Sequence, residues 1–117
     1  MTTAELDRIF GTASAYFSLM SDPTRLKILH AICGDEKSLR EIAAAVPASQ
    51  STVLRHLAVM RRHGVVVRRK GSHEDLYAVA DSTMIELCRT ICRQMAERCA
   101  ARATRSEDDI QRPAAPQ

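Results

Sequence analysis

The stretch from Pro47 to Gly64, PASQSTVLRHLAVMRRHG, constrains this chain more than any other. Ser49 follows a proline-marked turn and carries the short, oxygen-bearing side chain of a helix N-cap. Val53, Leu57 and Met60 then recur at helical spacing, so one face can pack inward. The other face carries Gln50, Ser51, Thr52, Arg55 and His56, short or forked side chains rich in donors near the start of the helix. A helix that meets base edges and phosphates in a major groove presents such residues. Gly64 offers the left-handed C-cap that ends it. By itself the stretch is equally well explained as an amphipathic surface helix.

The neighbouring segments decide between the two. Before it, SLREIAAAV predicts a short helix with Leu39, Ile42 and Val46 facing inward, followed by a tight turn at Val46 to Ala48. Helix, short turn and a second helix with a polar N-terminus make a helix-turn-helix. After it, VVVRRKG and DLYAV are two short β-branched runs joined by a turn that contains Gly and His. They predict a hairpin wing over about Val65 to Val79. The expected fold is therefore mainly α with a small β-hairpin wing, a winged helix-turn-helix.

At 117 residues the chain is one domain, small enough to gain from dimerisation. Aromatic residues make up 3% and there is no Trp, so the core has to be aliphatic. The net charge of +3 hides an uneven distribution. No acidic residue occurs between Glu41 and Glu74, a window that holds Arg55, Arg61, Arg62, Arg68, Arg69 and Lys70. A solvated charged face mixes both signs, whereas a one-signed block on the second helix and wing is the footprint of a polyanion partner. Arg68, Arg69 and Lys70 stand where a wing reaches flanking phosphates, contacts that position a protein but read little sequence. No apolar run approaches membrane-spanning length and no signal peptide is visible, so the expected location is the cytoplasm.

Around this centre, Thr3 to Leu19 predicts a first helix with an apolar stripe of Leu6, Ile9, Phe10, Ala13, Phe17 and Met20, suited to a core or a dimer contact. Asp22 and Pro23 supply a cap and a first helical residue for a second helix ending near Cys33 and Gly34. Ser38 with Glu41, and Thr83 with Glu86, have the spacing of capping boxes. The last helix is expected from Asp81 to around Ala103. Residues 1–104 then form the DNA-binding and dimerisation domain, and residues 105–117, charged and proline-containing, form a disordered tail.

The order of these elements, with MSDPTRLKIL, LREIA, SQSTVLRHLAVMRRHGVV and LYAV, resembles the ArsR/SmtB family of bacterial transcriptional repressors over roughly residues 10 to 100. The resemblance implies a homodimer that binds double-stranded operator DNA and is weakened by an inducer, with the first and last helices building the dimer interface. It implies DNA contacts from Gln50, Ser51, Thr52, Arg55 and His56, with Ser51, Thr52 and Arg55 nearest the bases. His56 also suits a buried helix–helix hydrogen bond, and both roles stay open.

Two inducer sites of that family are missing here. The helix before the turn, SLREIAAAV, has no Cys-x-Cys cluster, and the last helix has no His for a zinc-type site. What remains is Cys33, Cys88, Cys92 and Cys99. The last three stand at i, i+4 and i+11, within a stripe about 40° wide on one helix face. Cysteine is a small hydrophobe and the stripe also suits packing at a dimer seam. Three thiols on one stripe favour a functional site. Cys88 and Cys92 are about 6 Å apart along the axis and can pinch one soft ion, while Cys99 lies about 10 Å further on and needs a partner helix or Cys33. Thiolates select thiophilic ions, with As(III) or Sb(III) the favoured inducer and no permanent cofactor. The rival is sensing of reactive sulfur species through Cys33 with Cys99 or Cys92, helped if Arg89, Arg93 and Arg98 lower nearby thiol pKa values.

Other classes fare worse. There is no Gly-rich phosphate loop and no His close in sequence to the late cysteines, so an enzyme is not expected. A winged-helix protein-interaction module with no DNA target is discouraged by the acid-free window.

Overall fold

The computed structural model describes residues 1–111. Its elements are α1 (Thr3–Leu19), α2 (Pro23–Ile32), β1 (Lys37–Ser38), α3 (Leu39–Ala45), α4 (Gln50–Arg62), β2 (Val66–Lys70), β3 (Asp75–Val79) and α5 (Ser82–Gln111). The fold is a winged helix-turn-helix. Helices α2, α3 and α4 surround an aliphatic core, and the hairpin β2–β3 follows α4 directly.

The apolar spacing reads through into burial. Ile28, Leu29 and Ile32 of α2, Ile42 of α3, and Val53, Leu57 and Met60 of α4 are all inaccessible to solvent or nearly so. Removing each such side chain from water is worth about 1.5–3 kcal/mol. Met84 and Cys88 bring α5 into the same buried cluster, and Tyr77 is its one fully buried aromatic residue.

Helix ends follow local chemistry. Asp22 accepts the Arg25 amide at 3.0 Å and Pro23 opens α2. Ser38 and Glu41 form the expected capping box on α3, with the Glu41 amide donating to Ser38 Oγ at 3.2 Å and the Ser38 amide donating to Glu41 Oε1 at 3.1 Å. Gly34 (φ 84°) and Gly64 (φ 73°) supply the left-handed backbone after α2 and α4.

The wing is larger than a hairpin. Lys37 and Ser38 pair antiparallel with Tyr77 and Leu76, giving a three-stranded sheet in the order β1-β3-β2. A two-residue strand is too short to show any alternation, which is why the sequence hides it. In the hairpin Val66 faces Val79 and Lys70 faces Asp75.

Three further expectations are corrected. The start of α5 is capped by Asp81, whose Oδ1 accepts the Thr83 amide at 2.9 Å, so Thr83 lies inside the helix rather than at its cap. The same carboxylate accepts the Tyr16 hydroxyl of α1. That bond holds the Asp81 carboxyl below its usual range, while burial and then the Asp81 bond push the Tyr16 phenol up to about 12. Second, α5 does not stop near Ala103: it runs to Gln111, so residues 105–111 of the expected disordered tail are helical. No glycine or proline interrupts the chain between Ser82 and Gln111. The remainder of the tail, residues 112–117, lies outside the described residues. Third, of the two roles open to the α1 stripe, core and dimer contact, the core role is not met within one copy of the chain. Ile9, Phe10 and Phe17 are 49%, 65% and 59% exposed, and only Leu19 and Met20 at its end are buried.

Ser38 is fully buried and serves both β1 and the α3 cap. Ser38→Ala is expected to cost about 1 kcal/mol. Urea unfolding followed by circular dichroism should show a lower midpoint with an unchanged slope.

Candidate nucleic-acid interface and thiol cluster

Helix α4 begins on Ser49, whose Oγ accepts the Thr52 amide at 3.2 Å and donates to Thr52 Oγ1 at 2.9 Å. The Ser51 hydroxyl joins the same knot, 3.1 Å from Ser49 Oγ. Helices α1 and α3 carry an acid in their first turn, Glu5 and Glu41, whereas α4 has none. The partial positive charge at its N-terminus is thus left uncompensated by the chain, the condition under which a helix end attracts phosphate.

With Val53, Leu57 and Met60 buried, the outward face is fixed. Gln50, Ser51 and Arg55 are exposed, and Thr52 is half-buried. His56 is half-buried too, and its charge contributes to holding the Asp22 carboxyl of the α2 cap low, behind the larger effect of the Arg25 amide. One turn on, Ala58, Arg61 and Arg62 continue the exposed face. Together with Arg55, Val67 and Arg68 they line a shallow groove of about 690 Å³ between α4 and β2. Four guanidinium groups border it and no carboxylate does. Arg61 and Arg62 were legible only as part of the basic block. Projecting positions 51, 55, 58 and 62 on a helical wheel puts them on one face within about 60° and would have singled out Arg62 from that block.

The wing is less free than its composition suggests. Arg69 pairs with Glu36 through two guanidinium nitrogens, Nε at 3.1 Å from Oε2, and this pairing raises the Arg69 pKa and lowers that of Glu36. Arg68 Nε lies 3.6 Å from Asp75 Oδ2. Lys70 has no ion-pair partner among the described residues. The partners come from outside the acid-free window, which is why a linear count of charge misses them.

The cysteines divide. Cys33 is the C-cap of α2, half-buried, with Sγ 3.9 Å from the Ile85 carbonyl of α5. Cys88 is buried, and Cys92 and Cys99 are exposed. Burial pushes the Cys88 thiol up to about 11, with the Cys33 and Cys92 sulfurs adding to the shift. At Cys88 burial thus outweighs any acidifying effect of the α5 arginines. Arg89 reaches the α2 end instead: a Cβ on Gly34 would meet its Nη2 at 2.8 Å. Since Cys33 abuts α5 at Ile85, Cys99 is 14 residues further along a continuous helix, about 21 Å. A Cys33–Cys99 pair within one protomer is ruled out by disulfide geometry. Among the described residues of one protomer, no three His, Cys, Asp or Glu side chains converge on a metal position.

Residues 22–67, from the α2 cap into β2, match the family model described as bacterial regulatory protein, arsR family. The chain is 31% identical over 90 residues to the transcriptional activator HlyU of Vibrio cholerae, a match covering 74% of this chain and 83% of HlyU. This chain belongs to the ArsR/SmtB family of transcriptional regulators. The structure of reduced HlyU superposes with a TM-score of 0.72 at 27% identity, over 77% of this chain and 95% of that one. A transcriptional repressor SmtB homolog from Synechocystis is 29% identical over 82 residues, 70% of this chain but only 62% of that protein's length. The fold is shared, at 17% identity and a TM-score of 0.73, with a homodimeric winged helix-turn-helix DNA-binding domain from Mycobacterium bovis, over 84% of this chain and 91% of that one. Like the rest of its family, this ArsR/SmtB member is a DNA-binding regulator and not an enzyme. The family model takes in Cys33 and ends before Cys88, Cys92 and Cys99. Among the described residues no helix is long and apolar enough to cross a membrane.

Two outcomes follow. Arg61→Ala or Arg62→Ala should weaken DNA binding on every sequence and lower the slope of log affinity against log salt by about 1 each, whereas Glu36→Gln, which frees Arg69, should steepen it. Peptide mapping after brief alkylation of the native protein at pH 8 should find Cys88 labelled far more slowly than after unfolding, because almost none of it is thiolate several pH units below a pKa of about 11.

Proposed function

We propose that this protein is a cytoplasmic, homodimeric repressor that binds double-stranded operator DNA and is released when its cysteine thiols bind a thiophilic ion, As(III) or Sb(III) foremost. The observation that carries the DNA reading is the acid-free start of α4 continuing into the arginine groove. Gln50, Ser51, Thr52 and Arg55 read or position on the bases. The groove arginines and the wing residues Arg68, Arg69 and Lys70 take the flanking phosphates, with His56 supporting α4 from behind. Repression, rather than activation, rests on the likeness to the Synechocystis repressor.

Dimerisation is supported by α1. Its exposed Ile9 and Phe17 border a groove of about 800 Å³ against the start of α5, and Phe10 is exposed on the same helix, an apolar surface that a second copy would remove from water. A two-fold dimer presents two α4 helices to a palindromic site about one helical turn apart.

The sensor reading rests on Cys33 and Cys88 adjoining where α2 meets α5, with Cys92 one turn on and open to solvent. Because no three such side chains converge among the described residues of one protomer, the three-sulfur pyramid that trivalent arsenic takes needs Cys88 and Cys92 together with Cys99 of the partner subunit. An inducer held more tightly by the low-affinity state must weaken DNA binding by the same factor. A second reading, favoured by the closeness of Cys33 to α5, is oxidation: the S–S bond of an organic persulfide breaks, its two sulfurs take up two electrons and the two thiol protons to leave as a thiol and hydrogen sulfide, and Cys33 and Cys88 join as a disulfide.

Fluorescence anisotropy of the reduced protein on promoter DNA from its own locus tests both. The expected result is tight, salt-sensitive binding, with release by As(III) or Sb(III) that is lost in Cys88→Ala and Cys92→Ser. Release only by an organic persulfide, reversed by dithiothreitol, would replace the metalloid reading with the redox one. Release by neither would leave the cysteines as packing. Absence of DNA binding would return the chain to a protein-interaction module.

A further inference from the structure

The exposed large apolar side chains of the described residues fall into two groups. Met1, Leu6, Ile9, Phe10 and Phe17 lie along α1 or just before it and Met95 on α5, the surface assigned above to the second copy. Leu54, 44% exposed, and Val67 lie on the other side of the molecule, with α4 and the wing. A dimer seam on α1 and α5 leaves these two uncovered.

Leu54 stands apart even from Val67. It is the one large apolar side chain on the outward face of α4. On a helical wheel it falls about 60° from Ser51 and about 40° from Ala58, at the border of the buried seam, about 60° from Leu57, 100° from Val53 and 120° from Met60, and its 44% exposure places it on the solvent side of that border. Its neighbours on that face are Gln50, Ser51, Arg55 and Ala58, all exposed. The polar readers beside it are partly spent, because the Ser51 and Thr52 hydroxyls are tied to Ser49. Ala58, one turn on, has no bulk to hold the helix away from a groove floor. An apolar side chain at such a point meets the one apolar group that a base pair displays in the major groove, the 5-methyl of thymine.

We propose that Leu54 reads sequence by packing on the 5-methyl group of a thymine in each operator half-site. The inference rests on the DNA reading above and deepens it. Arg55 and Gln50 supply hydrogen-bond readout, and Leu54 supplies readout of the 5-methyl group, which no hydrogen-bond donor senses. A 5-methylcytosine at the same position presents the same methyl group and substitutes for thymine at this contact.

The test begins by selecting sites for the full chain from random duplex DNA. Each thymine of the selected site is then replaced in turn by deoxyuridine, which lacks only the methyl. For the wild-type protein, one thymine per half-site should be sensitive, with a loss of about fourfold in affinity from one half-site and about fifteenfold from both. Leu54→Ala should bind the thymine and deoxyuridine sites equally. Because Leu54 is on the surface, the variant's circular dichroism and unfolding midpoint should match wild type. Affinity indifferent to every deoxyuridine, or a sensitive thymine that stays sensitive in Leu54→Ala, would overturn the inference while leaving DNA binding intact. Failure of the selection to enrich any sequence would overturn the operator reading and the inference with it.

Discussion

The burial of one seam of α4 is the constraint on which everything else in this molecule depends. Val53, Leu57 and Met60 are removed from water against α2 and α3, and the helical period then leaves no choice about what faces outward. Rotation of α4 by a quarter turn would put Arg55 or His56 at the edge of an aliphatic core, where an unpaired charge is far more costly than an exposed leucine is. Specificity of the outward face is thus inherited from the inward one. The same packing carries the wing, because Val65 and Val66 are buried immediately after Gly64 turns the chain.

Electrostatics divides the surface along the same lines. Where a helix end belongs to the interior scaffold, the chain neutralises it itself: Thr2 with Glu5 on α1, Ser38 with Glu41 on α3, Asp22 on α2. Helix α4 alone among these four receives only hydroxyl caps. Its uncompensated dipole and the four arginines of the neighbouring groove put positive charge on the same side of the chain. The ion pairs Arg69–Glu36 and Arg68–Asp75 temper that charge at the wing. Both are exposed, so each is worth little to stability, and phosphates compete with them on nearly equal terms. They hold two long side chains in place without committing them.

Most of the fold was legible because it is local. Caps at Ser38, Ser49 and Asp22, the glycines at 34 and 64, and the three-residue seams of α2, α3 and α4 all announce themselves within a few positions. What was not legible depends on partners distant in sequence. Strand β1 exists because Tyr77 and Leu76 pass beside it, and two residues carry no period of their own. The cap of α5 passed from Thr83 to Asp81 because Asp81 also answers Tyr16, 65 residues earlier. The stripe of α1 had the right period for a core helix, but one copy of the chain offers nothing to cover it. Among the cysteines, spacing correctly gave a common helix face. It said nothing of depth, and depth separates a buried Cys88 with a raised pKa from an open Cys92.

On the sensor reading proposed above, depth also explains how a thiol on α5 would act on α4. Cys88 belongs to the same buried cluster as Met84, Ile32 and Leu57, so it is packed into the body that carries α4 and not merely attached to α5. Interiors of this density do not absorb an added atom locally. A volume change at one point is met by a shift of whole helices. A group attached at Cys88, or a bond drawing Cys33 toward α5, must therefore change how α5 sits on the α2–α4 body. In a dimer joined through α1 and α5, that change becomes a change in the spacing of two α4 helices. A half-site separation fixed by the pitch of DNA tolerates little of it, and both half-sites weaken together. The buried thiol pays for this leverage in reactivity, since the burial that couples it to α4 also keeps it protonated. The exposed Cys92 one turn away has the complementary properties, open to an incoming ion but only loosely joined to the core. A site that needs both residues combines easy capture at one sulfur with mechanical effect at the other.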